Sequence, residues 1–357
     1  MSSTAAAGTV ENGSGLRYPF PDIPAPGKVV EVAPGVLWIR MALPFRLNHI
    51  NLWALEDEGG WTLVDTGIGN EATAELWHQI FSEAFGGNPV VRVIVTHMHP
   101  DHVGMAGWIT RRFGCRLWMS RAEYISCRML IADTGREAPA EGVAFYRRAG
   151  WSEPQIERYR TRFGGFGKSV YTPPDGYRRL KDGETLRIGA NEWQVVMGNG
   201  HSPEHVCLVC SSLGLFISGD QVLPRITSNV SVFPTEPDAN PLADWMDSID
   251  KVRSAVSNDV LVLPSHNEPF YGLHQRLDAL HASHRKSLDR LEDAIEQPIR
   301  AIDAFPALFA REIRSDDSQL VSMATGESLA HLNWLVEAGR ARVATDASGV
   351  AWYSRVR

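Results

Sequence analysis

From Lys28 to about Ser120 the apolar positions switch repeatedly between a two-residue period and a helical one. "GVLWIRMAL", "HINLWALED" and "WTLVDTG" are short runs of branched and aromatic residues bounded by turn formers, which predicts three strands. "EATAELWHQIFSEAFGG" has helical spacing and closes on glycines, so a helix follows them. "VVRVIVTHMH" then predicts a buried strand, and "GMAGWITRRFG" a helix behind it. Strands mixed with helices place the chain in the α/β class, as a sheet covered by helices.

Residues 121–178 break this rhythm. "AEYISCRMLIAD", "AEGVAFYRRAG" and "SEPQIERYRTRFGGFG" predict successive amphipathic helices with no strand between them. Such an insertion serves as a lid or a pocket wall, or else as a packing or dimer surface. Strands resume with "ETLRIGANEWQVVMGNGHS", "HVCLVCSSLGLFISGD" and "VLVLPSH", with a helix at "PLADWMDSIDKVRSAV" before the last. After a long helical stretch over 273–296 the character changes. "ESLAHLNWLVEAGRARVATDASGVAWYSRV" reads as a helix, a glycine stop and a hairpin turning at "DASG". The expected organisation is a flexible tail and lead-in over 1–27, a main domain over 28–295 carrying the insertion, and a small C-terminal domain over 296–357.

Composition narrows the function. The 357 residues, 44% hydrophobic and 22% charged, fit one large globular domain with room for a small second one. A net charge of −7 without any basic cluster excludes a general polyanion binder. The start, "MSSTAAAGTVENGSG", has neither a basic n-region nor an apolar h-region, and no apolar run reaches the ~18 residues of a membrane span. A cytoplasmic protein is expected. The cysteines at 207 and 210 have CxxC spacing, but on a strand positions three apart face opposite sides and no second pair follows. They are expected to be reduced core residues.

Against this ordinary background "THMHPDH" stands out, with His97, His99, Asp101 and His102 in one turn among only 12 histidines. Buried polar groups without partners cost several kcal/mol, so such density at a strand end calls for a shared partner. Imidazole and carboxylate are the usual ligands of zinc and similar ions. In an extended segment His97 and His99 can hold one metal, while Asp101 and His102, beyond the Pro100 bend, reach a second. "GNGHSPEH" adds His201 and His205, "FISGDQV" adds Asp220, and "LVLPSHNEP" adds His266. Each emerges where a predicted strand stops, which is where layered α/β folds build their sites.

With HxHxDH, GHSPEH, SGD and PSH after an earlier LVDTG, all in family order, residues 28 to 290 resemble the metallo-β-lactamase-fold hydrolase superfamily. The resemblance implies an αββα sandwich. It assigns His97, His99 and His201 to one metal, Asp101, His102 and His266 to a second, and Asp220 to a bridge between them. Asp65 would orient the site from behind, and His205 would support it by hydrogen bonding. Two divalent ions per chain are expected, zinc first, with iron or manganese as alternatives.

Ions ~3.5–4 Å apart share a water and bring its pKa toward ~7. The resulting hydroxide would attack an acyl carbonyl, with Asp101 taking a proton as the intermediate collapses and Asp220 holding the ions together. The flavin-linked diiron branch is similar to HxExDH, whereas position 99 here is His, and antibiotic-hydrolysing members lack the bridging aspartate. A metal-dependent hydrolase of a thioester, lactone or ester is therefore expected. The alternatives are a phosphodiesterase or ribonuclease, a promiscuous β-lactamase, and a mononuclear iron thiol oxygenase. The C-terminal segment resembles the winged-helix domain of one β-lactamase-like subgroup. From Glu296 onward, however, eight acidic residues face seven basic ones, which favours packing or dimerisation over nucleic-acid binding. The expected partner is a small acyl molecule, with neither nucleic acid nor membrane involved and a homodimer left open. Arg225, Thr227 and Asn229 in "LPRITSNVSV", with Tyr171 or Phe166 from the insertion, are the candidates for substrate contact.

Overall fold

A computed structural model of the chain describes residues 10–11, 15–310, 312–314 and 316–356. A ribbon of β1 (Val10–Glu11) and β2 (Arg17–Tyr18) precedes β3 (Val29–Ala33), β4 (Val36–Ala42), β5 (His49–Asp57) and β6 (Gly60–Val64). Then come α1 (Glu71–Glu83), β7 (Val90–Ile94), the single turn α2 (Pro100–Val103), α3 (Ala106–Phe113) and β8 (Arg116–Met119). The insertion is α4 (Arg121–Ala132), α5 (Ala140–Arg148) and α6 (Glu153–Arg162), followed by β9 (Arg178–Arg179). β10 (Thr185–Ile188), β11 (Asn191–Gly198), β12 (His205–Cys210) and β13 (Leu215–Gly219) lead through α7 (Pro241–Ala255) to β14 (Leu261–Pro264). The chain closes with α8 (Leu273–Ala294), α9 (Phe305–Leu308), α10 (Ser318–Glu337) and the hairpin β15 (Ala341–Thr345) and β16 (Ala351–Arg355).

Apolar residues on both faces of a strand require cover on both sides, and this governs the architecture. Strands β3 to β9 form a seven-stranded sheet in sequence order, antiparallel as far as β6 and parallel beyond it. Strands β10 to β14 form a five-stranded sheet, antiparallel except for the β13–β14 pair. Trp38 and Trp53 of the first sheet share a core with Trp193, Leu208 and Ile217 of the second. Alternation turns Leu37, Ile39 and Met41 of β4 the other way, onto Trp77 and Ile80 of α1 and Ile109 of α3. Val209 and Phe216 likewise face Trp245 of α7 and Leu277 and Leu280 of α8. The result is helix, sheet, sheet, helix. The same alternation separates the CxxC pair: Cys207 faces the helices and Cys210 lies between the sheets, both buried and free.

The lead-in is packed where it is described. Leu16 and Tyr18 are buried in the outer core of the second sheet, and the main chain of Arg17 exchanges hydrogen bonds with Tyr271. Two apolar residues in a Gly- and Pro-rich stretch are too few to show a period, so the sequence pattern hides them. Residues 1–9 and 12–14 of the expected tail lie outside the described residues.

The insertion divides its packing. Tyr124 and Cys127 of α4 join the core of the first sheet, whereas Phe145 and Tyr146 of α5 and Ile156 of α6 join the cluster that contains α10. Val321, Leu329, Leu332 and Leu335 of α10 share that cluster with β12, β13 and α8, so the C-terminal helix and the second sheet have one core. After α10, Gly339 and a hairpin follow as expected, and the Asp346 carboxylate accepts from Ser348 and Val350 amides and from Trp352 Nε1 to tie the turn. No described helix is long and apolar enough to cross a membrane.

Candidate metal centre

Strand ends deliver the candidate residues. Asp65 follows β6, His97 and His99 follow β7, and Asp101 and His102 lie on the α2 turn that Pro100 opens. His201 follows β11, Asp220 follows β13 and His266 follows β14. β11, β13 and β14 run in one direction, because two antiparallel steps and one parallel step relate them. Their carboxyl ends therefore open on one edge of the sandwich. The ligand atoms form two groups, His97, His99, His201 and Asp220, and Asp101, His102 and His266, each within 4.8 Å of one another.

Hydrogen bonds on the far side of the rings decide what those rings offer. His201 Nδ1 lies 2.7 Å from the Asn229 carbonyl, and His266 Nδ1 lies 2.7 Å from the His49 carbonyl. A carbonyl only accepts, so both Nδ1 atoms carry a proton, and Nε2 is the atom each ring turns to the site. His102 Nδ1 donates in the same way to Asp65 Oδ2 at 2.8 Å. Thr96 Oγ1 donates to Asp65 Oδ2, so its oxygen is left to accept from His97 Nδ1 at 3.0 Å. His97 Nε2 then faces His99 Nδ1 at 2.9 Å. The Nε2 atoms converge on the carboxylates: His201 Nε2 is 3.4 Å from Asp220 Oδ2, and His266 Nε2 is 3.4 Å from Asp220 Oδ1 and 3.6 Å from Asp101 Oδ2.

Buried polar atoms normally find partners. Here His102 Nε2, His201 Nε2 and Asp220 Oδ1 are buried without one, and they face each other. Electrostatics point the same way. Burial opposes a charge on His102, but the carboxylates of Asp65, Asp101 and Asp220 outweigh it and hold the imidazole well above the usual histidine range. Burial also opposes the charge on Asp220, yet His266 and His102 hold its carboxyl well below the usual range. His97 and His99 are pushed well below theirs by burial and by neighbouring imidazoles. The pocket thus wants positive charge between its carboxylates and lone-pair acceptors around it, and a divalent ion supplies both. The residues fit a metal.

The supporting residues lie one layer back. Asp65 accepts from the Thr96 amide and hydroxyl and from His102, from a left-handed backbone with φ +63°. His205 Nε2 accepts the Asp220 amide at 3.0 Å, so that nitrogen is already engaged, and burial pushes its pKa down to about 3. Gly219 makes room for it: a Cβ there would lie 2.6 Å from His205 Nε2.

Other supports carry no signal in the sequence. Asn51 Nδ2 donates to the carbonyls of Pro264 and Asn267 and so clamps the loop bearing His266. Glu123 of α4 accepts the amides of Met98 and Glu204, and Glu204 accepts that of Ala122 at the start of α4, joining the insertion to the loops of His97 and His201.

The candidate substrate residues are dispersed. Arg225 pairs with Glu268 and stacks on Tyr18, and Thr227 is exposed. Tyr171 and Phe166 pack against the outer core of the first sheet. Asn229 is held at both ends of its amide, by Glu327 and Ser231.

The chain belongs to the metallo-beta-lactamase superfamily: residues 46–302 match that family, and residues 288–356 match the metallo-beta-lactamase-like C-terminal domain. It is similar to a crystal structure of a beta-lactamase domain protein from Burkholderia ambifaria, at 43% identity, a TM-score of 0.87, and coverage of 96% of this chain and 98% of the other. It is 23% identical over 292 residues to "Probable metallo-hydrolase YqjP" of Bacillus subtilis (strain 168), covering 78% of this chain and 87% of that one. It is also 22% identical over 258 residues to the human acyl-coenzyme A thioesterase MBLAC2, covering 66% and 79%. Fold and family make the chain a metallo-hydrolase-type protein with residues able to bind metal.

Proposed function

We propose that the chain is a dinuclear metal-dependent hydrolase of a small acyl substrate, a thioester before a lactone or ester. The observation that carries this reading is the pair of donor groups that meet at the Asp220 carboxylate, with buried lone pairs aimed inward and no protein partner for them. His97, His99 and His201 would hold one ion, Asp101, His102 and His266 the other, and Asp220 would serve both. The imidazole-rich donors suit zinc. Ions bound there would supply Lewis acidity toward a carbonyl and would acidify water toward neutrality.

The chain's own groups do the rest. The Asn229, His49 and Asp65 acceptors hold the Nδ1 protons of three imidazoles, so that each would offer Nε2 to an ion. Asp101 has the more open carboxylate, 18% exposed against 9% for Asp220, which supports it as the group that would take a proton from the reacting centre. Similarity to a named acyl-coenzyme A thioesterase supports a thioester. The acidic balance of the C-terminal segment supports a packing role for its helix and hairpin, winged-helix-like in order, rather than nucleic-acid binding.

The test is metal analysis of the purified protein together with a substrate panel of thioesters, lactones, β-lactams and RNA. Two metal equivalents per chain and thioester hydrolysis that disappears in His99→Ala are expected. One iron per chain, or cleavage of RNA alone, overturns the reading.

A further inference from the structure

The acceptor that sets the His201 tautomer is a main-chain carbonyl on an irregular segment between β13 and α7, which by itself offers little rigidity. That segment is held from the C-terminal domain. Glu327 of α10 accepts from Asn229 Nδ2 at 2.8 Å, and Ser231 Oγ donates to Asn229 Oδ1 at 2.5 Å. The helix is seated on the segment within the same turn. The Val232 amide donates to the Gly326 carbonyl at 3.1 Å, and Ser231 Oγ reaches the Met323 carbonyl at 3.3 Å. Gly326 permits the approach: a Cβ there would lie 2.7 Å from Ser231 Cβ and 2.8 Å from the Val232 carbonyl. On its other side α10 is anchored by the insertion, through Trp151 Nε1 to Thr325 Oγ1 at 2.9 Å and Tyr146 to Ser322 at 2.7 Å.

We infer that Glu327 is a positioning residue for the candidate metal centre, acting from the C-terminal domain through Asn229 on His201. The carboxylate fixes the Asn229 amide, the fixed Asn229 presents its carbonyl to His201 Nδ1–H, and the bonded ring keeps Nε2 aimed at Asp220. Without Glu327 the carbonyl loses its fixed direction, and the Nε2–H tautomer, which has no lone pair to give, becomes populated. The C-terminal domain then has a task at the site that does not involve nucleic acid. This rests on the reading of His201 as a metal ligand.

The experiment is chosen so that the two fail separately. In metal-free protein, histidine-selective nitrogen NMR reads the His201 tautomer directly. Wild type is expected as Nδ1–H, Glu327→Ala as a mixture, and Glu327→Gln, whose carbonyl still accepts from Asn229, as wild type. Zinc titration against a chelator should show one of the two sites weakened about 10- to 100-fold in E327A and restored in E327Q, the range for groups that orient a ligand from behind. Asn229→Ala should reproduce E327A, and the double variant should be no worse than either single one, because both act on one link. This cycle also keeps the test open should one single variant fold poorly. An unchanged tautomer and unchanged zinc affinity in E327A overturn the inference and leave the dinuclear reading standing. A tautomer change in a protein that binds no zinc supports the inference about the ring and overturns the dinuclear reading.

Discussion

Asp65→Asn isolates the contribution of a single proton position. Asp65 accepts three hydrogen bonds of 2.8 Å, from the Thr96 amide, the Thr96 hydroxyl and His102 Nδ1. Asparagine keeps the shape and tolerates the left-handed backbone at φ +63°, so no strain is added. The amide oxygen can still take the Thr96 amide. The amide nitrogen then faces His102 Nδ1, and two donors cannot share that contact. His102 can then keep a proton only on Nε2, the atom lying 3.8 Å from Asp101 and 3.6 Å from Asp220. A hydrogen bond to a charged group contributes about 1.5–3 kcal/mol, and ~1.4 kcal/mol is tenfold in affinity. Zinc at the Asp101, His102 and His266 group should therefore bind roughly 10- to 100-fold more weakly, while the other group changes by less than about threefold. Competition titration of metal-free protein with a chromogenic chelator reads both constants, and NMR reads the His102 tautomer. Two unchanged constants, or an equal collapse of both in a folded protein, would refute the reasoning.

Gly219→Ala should cost the protein its metal as well as stability, since the new methyl meets His205 at a residue with φ +54°; metal retained at two equivalents would contradict this. Thr325→Val leaves the buried Trp151 indole without its acceptor and should destabilise by about 1–3 kcal/mol in urea unfolding, whereas a change under ~0.5 kcal/mol would show that water replaces the threonine. Burial and His331 push His284 down to about 3, and burial pushes His331 down to about 4. Their folded pKa values lie below the unfolded ~6.5, so stability is full above that pH and falls as pH drops toward 4, by up to ~1.4 kcal/mol per unit for each group. His284→Gln should show a shallower fall in urea unfolding at successive pH values, and parallel slopes would exclude the buried pair as its source. Removing metal with a chelator should lower the melting temperature, because an ion present at ~100 times its Kd adds about 2.7 kcal/mol to the folded state; coincident melting curves would count against bound metal.

The alternation of strands and helices was legible because β4, β5 and β12 carry apolar residues on both faces, a pattern that only a covered sheet satisfies. The candidate site was legible as a crowd of polar side chains at strand ends, from "THMHPDH" to Asp220 and His266. Its tautomers were not. They are set by the main-chain carbonyls of His49 and Asn229, and a carbonyl has no residue type by which to notice it. The side chain of Asn229 is the part that suggests a substrate contact, whereas its main chain makes the bond to His201. Glu123 and Asn51 carry no signal because one sits in an amphipathic helix and the other in a strand, where an isolated polar residue reads as a solvent-facing position. Leu16 and Tyr18 are buried by distant β14–α8 neighbours, and no local pattern reports a contact that far along the chain.

The dispersal of the candidate ligands over the chain orders events during synthesis. His97 and His99 leave the ribosome early, but their partner His201 belongs to the other sheet, and His266 follows only after α7 and β14. A nascent chain halted before β14 holds the residues of one donor group, His97, His99, His201 and Asp220, but only Asp101 and His102 of the other. Glu327, which steadies His201 through Asn229, is made later still. Completion of both donor groups is therefore a late event, coupled to the docking of the two sheets, and long-range contacts of this kind form slowly. Until His266 arrives, "THMHPDH" has only part of the company that the finished fold gives it.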